Sequence, residues 1–87
     1  MPRPCSLEIV KVPLPERHAM ETRWRYDAIR GDRVESEASV CLDGSRPNKT
    51  IVTFTIDDTF PLDAAISMLS EVAHLFRMWG VEGRRTP

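Results

Sequence analysis

"METRWRYDAIRGDRVESEASV", residues 20–40, decides the fold. Its first half alternates strictly, with Met20, Thr22, Trp24, Tyr26 and Ala28 on one side and Glu21, Arg23, Arg25 and Asp27 on the other. The second half repeats the alternation, setting Val34, Ser36, Ala38 and Val40 against Glu35, Glu37 and Ser39. A period of two is that of a strand with one buried face, so the stretch predicts two antiparallel strands joined at Ile29-Arg30-Gly31-Asp32.

Facing residues of such a pair share a face, which fixes the parity of the sum of their numbers. A two-residue Gly31-Asp32 turn pairs Arg30 with Arg33 and mixes the apolar and charged faces. A three-residue loop, Ile29-Arg30-Gly31 with Gly31 at positive φ, predicts instead Asp27 opposite Arg33, Arg25 opposite Glu35 and Arg23 opposite Glu37. The apolar side then sets Tyr26 against Val34, Trp24 against Ser36 and Met20 against Val40. Arg30-Gly31-Asp32, an adhesion signal in extracellular proteins, is thereby accounted for as hairpin chemistry.

Outward from this hairpin, "SLEIVKV" (6–12) is a β-branched run ended by Pro13 and Pro15, the signature of an edge strand. The alternation continues to Leu42, "LDGSRPNK" reads as a surface loop, and "TIVTFTID" (50–57) predicts a fourth strand with Val52, Phe54 and Ile56 on one face. The last element starts with Pro61 in its first turn, preceded by Asp57 and Asp58, and is expected to stop at Gly80. Leu62, Ile66, Leu69, Ala73 and Phe76 recur at helical spacing and are predicted to be its core stripe. The expected fold is α+β, a four-stranded mostly antiparallel sheet with one C-terminal helix packed across one face. Residues 1–87 form a single domain, with 1–5 and 81–87 expected to be frayed tails.

With 87 residues the chain buries only about 60–65% of its unfolded surface, so the core is thin. Net charge is -1, from seven basic and five acidic residues in 1–33, two and seven in 34–76, and three and one in 77–87. That balance excludes a domain-wide basic field of the kind that draws nucleic acid. Cys5 and Cys41 lack CxxC or metal-ligand spacing, no apolar run reaches membrane-spanning length, and "MPRPCSLEIV" (1–10) lacks the basic segment followed by a long apolar stretch that is expected of a secretory leader. The expectation is a cytoplasmic protein with free thiols, no membrane association, no metal and no cofactor. Asn48-Lys49-Thr50 matches a glycosylation acceptor, which matters only in a secreted chain.

No nucleophile, base and orienting group can be assembled, and an enzyme is not expected. Asp57, Asp58 and Asp63 suit a helix N-terminus better than a Mg²⁺ site. His74 falls on the polar side of the helix, and His18 has no evident partner. The helix carries more apolar residues than one sheet face needs: Ala65, Met68, Val72, Leu75 and Trp79 widen its apolar arc to roughly 200°. Met68, Leu75, Met78 and Trp79 are therefore the predicted partner-binding residues of a small non-enzymatic interaction protein, an adaptor, accessory subunit or inhibitor that binds another protein or itself as a homodimer. The alternative is nucleic-acid binding through Arg23, Arg25 and Arg33 on the outer sheet face, flanked by Lys11, Arg84 and Arg85. It is weakened because Trp24 and Tyr26 point to the other side, where they cannot stack on bases.

Overall fold

The computed structural model describes residues 6–83, and the side chains of residues 6–78. Four strands, β1 (Leu7–Leu14), β2 (Glu21–Arg30), β3 (Arg33–Arg46) and β4 (Lys49–Ile56), are followed by one helix, α1 (Leu62–Gly83). The strands form a sheet in the order β1-β2-β3-β4, every neighbouring pair antiparallel. The α+β expectation holds. β1 pairs within its own sheet and lies at its edge, where Pro13 lacks no partner that the sheet requires.

The central hairpin differs from the expectation in register. Arg30 pairs with Arg33 across a two-residue Gly31-Asp32 turn, and Gly31 has φ 67°, the left-handed position of a type II′ hairpin turn. A β-bulge between Ala28 and Ile29 then shifts the pairing by one residue. The shift restores parity: Tyr26 faces Ala38, Trp24 faces Val40 and Thr22 faces Leu42, while Arg25 faces Ser39 and Arg23 faces Cys41. Both strands thus keep their apolar faces together, and the predicted charge pairs of Arg25 with Glu35 and Arg23 with Glu37 do not form. A side chain at position 31 would strain the turn. Gly31→Val is expected to destabilise the domain by about 1 kcal/mol or more, read from the midpoint of urea unfolding.

β3 also runs through Asp43-Gly44-Ser45-Arg46, predicted to be loop, and the chain reverses at Pro47-Asn48. An irregularity between Asp43 and Arg46 absorbs the turn-forming residues, and the Gly44 N–H is satisfied by the Met20 carbonyl at 2.9 Å. α1 does not stop at Gly80; it continues to Gly83, so 81–83 is helical, and the predicted frayed segments 1–5 and 84–87 lie outside the described residues.

The core is formed by Trp24, Tyr26 and Ala28 of β2, Ala38, Val40 and Leu42 of β3, Phe60 before the helix, and Ala65, Met68 and Val72 of α1, with Leu7, Val52, Ala64 and Leu75 packed against it. This places the helix one step round from its predicted orientation. Met68 is 2% exposed, whereas Leu62 is 76% and Ile66 54% exposed, and Leu69 is exposed as well. The physical reason lies in the sheet. Trp24 and Tyr26 occupy the space under the helix, so its small and flexible side chains, Ala65, Met68 and Val72, fit above them better than a row of branched ones.

Candidate interaction surface

Two features orient α1. The Tyr26 hydroxyl donates to a Glu71 carboxylate oxygen, and Lys11 Nζ donates to the other at 3.2 Å. Lys11 faces Tyr26 across β1 and β2, so it belongs to the helix side of the sheet and not, as expected, to the outer face with Arg23 and Arg25. Its ammonium also sits 4.9 Å from the centre of the Trp24 ring. Ile9, Tyr26, Ala64, Ser67 and Glu71 line a cleft of about 440 Å³ on this β1 side of the helix. At 100° per residue, Leu62, Ile66 and Leu69 project to the opposite flank, toward β4.

β4 completes the other half of that flank. Phe54 faces Val40 and Ile56 faces Ala38, so both lie on the helix side of the sheet, yet they are 39% and 38% exposed. The helix covers the middle strands and leaves this outer one open. Phe54 and Ile56 of β4 and Leu62, Ile66 and Leu69 of α1 are the exposed apolar side chains of this flank, an apolar strip on the β4 side of the helix. Of the predicted partner-binding residues, Met68 is in the core and Leu75 packs against it, Met78 is exposed, and the Trp79 side chain lies outside the described residues. The reading of Met68 and Leu75 as free surface is corrected by the rotation of the helix. Surplus apolar surface does exist, but on the stripe assigned to the core.

The outer face carries a polar cluster instead. The 15–20 segment folds back so that Glu21, at the start of β2, is only 2% exposed. Arg17 Nη2 and Nε hold its carboxylate at 2.6 and 3.0 Å, and the Arg17 backbone N–H donates to it as well. His18 Nε2 lies 3.7 Å from both the Glu21 and Asp43 carboxylates, which supplies the partners that the sequence did not reveal. The hydrogen bonds from Arg17 hold the Glu21 carboxyl down at about 2, against an ordinary 4.5. Above pH 4.5 this favours the folded state, and the contribution is lost as pH falls toward 2. Glu21→Gln is therefore expected to flatten the dependence of stability on pH between about 5 and 2, measured by urea unfolding at stepped pH.

Cys41 donates to Glu21 at 3.5 Å, and burial together with that carboxylate raises its thiol pKa. A thiol held protonated is a poor nucleophile. Arg23 donates to the Pro15 carbonyl, and Arg25 forms a two-point pair with Asp27 at 2.7 and 3.2 Å. Arg33, exposed at the hairpin turn, stands apart from both. The three arginines of the nucleic-acid alternative therefore do not make one surface. Asp57 binds the Glu37 N–H through Oδ2, tying β4 to β3 rather than capping the helix, and Asp63 accepts from Ala64 N–H in the first turn. His74 is exposed, as expected.

Among the described residues no group of three or more histidine, cysteine or acidic side chains could hold a metal ion, and no helix is long and apolar enough to cross a membrane. Comparisons with protein-family models, curated proteins and solved structures gave no match.

Proposed function

We propose that the protein is a small non-enzymatic interaction module that binds another polypeptide through the apolar strip between β4 and α1. The supporting observation is the strip itself: Leu62, Ile66 and Leu69 on the helix and Phe54 and Ile56 on the strand are large and exposed, and strand pairing and helix periodicity put them on one flank. Isolated surface leucines need no explanation, whereas large apolar side chains gathered on one flank of so small a domain are what protein interfaces use. The reading includes a cytoplasmic, reducing location, in which Cys41 stays a thiol.

Ile66→Glu tests it. The variant is expected to fold, with a melting temperature within a few degrees of wild type, and to lose association as read by solution mass and by retention of a purified partner. If the variant unfolds, the strip belongs to the protein's own core and the reading fails.

A further inference from the structure

We infer that the occupant of this surface is a second copy of the chain, joined through antiparallel pairing of the two β4 strands about a two-fold axis at Thr53. This rests on the interaction-module reading and names its partner. Four observations carry it.

The first is the asymmetry of the sheet edges. β1 carries Glu8, Lys11 and Pro13, the charges and proline that keep an edge from pairing. β4 reads Thr-Ile-Val-Thr-Phe-Thr-Ile from residue 50 to 56, seven residues with neither charge nor proline. An edge of that kind is an aggregation hazard unless it is covered.

The second is backbone geometry. The Asp57 N–H bonds to the Glu37 carbonyl at 3.0 Å, so the odd-numbered residues of β4 turn their polar groups toward β3. By alternation Thr50, Val52, Phe54 and Ile56 turn theirs toward the open side. A second β4 can take up all four.

The third is charge. To keep apolar faces together, the sum of paired residue numbers across the axis must be even, which centres the axis on a residue. Centred on Thr53, the pairing sets Val52 against Phe54, Thr50 against Ile56, Ile51 against Thr55, and Lys49 against Asp57 of the second copy. Centred on Phe54, it sets Ile51 against Asp57 and leaves Lys49 facing Thr59. Only the first matches opposite charges at both ends, and Lys49 otherwise faces Arg46 within its own hairpin.

The fourth is area. Phe54, Ile56, Leu62, Ile66 and Leu69 leave on the order of 500 Å² exposed. A stable interface takes about 800 Å² from each partner, so the strip supplies more than half of it and pairing along the β4 edge must supply the rest. The result is an eight-stranded sheet with both helices on one face, flanking a joint apolar seam.

The test uses the full chain with Cys5→Ser and Cys41→Ser, because Cys41 faces Thr53 within the monomer. Light scattering should give about twice the 9.9 kDa chain mass. Thr53→Cys, at a close non-hydrogen-bonded pair on the axis, should oxidise in air to a disulfide dimer, and Thr55→Cys should not. Val52→Pro, which removes an open-side N–H and trims a side chain packed against the core, should give a less stable but folded monomer by circular dichroism.

A wild-type monomer at about 100 µM, far above the Kd of a stable homodimer, overturns the inference and leaves the interaction-module reading standing. A dimer that cross-links through Thr55→Cys, or fails to cross-link through Thr53→Cys, overturns the β4 pairing. If such a dimer is also lost in Ile66→Glu, the strip remains the interface in another arrangement.

Discussion

Met68→Ala is expected to cost about 2–5 kcal/mol, while Ile66→Ala, two residues earlier on the same helix, costs under about 0.5 kcal/mol. Met68 is sealed among Ala65, Val72 and the sheet, so truncation leaves a cavity that the rigid β2 and β3 strands cannot close. Ile66 is 54% exposed, and its loss returns little apolar surface to water. An 87-residue domain has about 4–13 kcal/mol of stability, so the first change removes a large part of it. The melting temperature should fall by more than about 10 °C for Met68→Ala and by no more than about 4 °C for Ile66→Ala. Equal losses at the two positions would mean that the helix presents a different face to the sheet. Should the wild type be a dimer, the comparison belongs in the Val52→Pro monomer, where the strip is open.

The helix rotation is also where sequence reasoning met its limit. Strand existence, order of elements and the inward faces of β2, β3 and β4 were all legible, because alternation of apolar and polar residues fixes them locally. The register was not. A bulge between Ala28 and Ile29 has no residue signature of its own, and assuming a regular ladder forced the loop to grow by one residue to preserve the faces. The protein keeps both the two-residue Gly31-Asp32 turn and the faces by inserting the irregularity inside the strand. The helix offered two apolar stripes about 100° apart, Leu62-Ile66-Leu69 and Ala65-Met68-Val72. Hydrophobicity alone favours the first, since its side chains are larger. Steric fit above Trp24 and Tyr26 selects the second, and that fit exists only once the sheet has formed. Similarly, burial of Glu21 depends on the 15–20 segment folding back across the outer face, a non-local event that periodicity does not encode.

Trp24→Ala is expected to cost about 3–5 kcal/mol, and Trp24→Phe less than about 1.5 kcal/mol. The ring is 3% exposed at the centre of the sheet, where it supports the helix and lies beside the Lys11 ammonium. It is the largest side chain of the described core, so removing it to Cβ opens the largest void among the described core positions. Phenylalanine keeps most of the packing and an aromatic face for Lys11, while its smaller size leaves a modest gap. It also removes a penalty, because the Trp24 indole N–H is buried without an acceptor, and an unmet donor costs about 1–3 kcal/mol. The loss of volume and the relief of that donor therefore act in opposite directions. Urea unfolding followed by far-ultraviolet circular dichroism suits the comparison, since the fluorescence of a chain with two tryptophans changes when one is replaced. If phenylalanine proves as costly as alanine, the indole N–H contributes a hydrogen bond, and an ordered water must reach it beneath the helix. If it proves nearly neutral, the tryptophan is held for its volume and its face toward Lys11. The ion pair from Lys11 to Glu71 then becomes the contact that holds β1 to the helix.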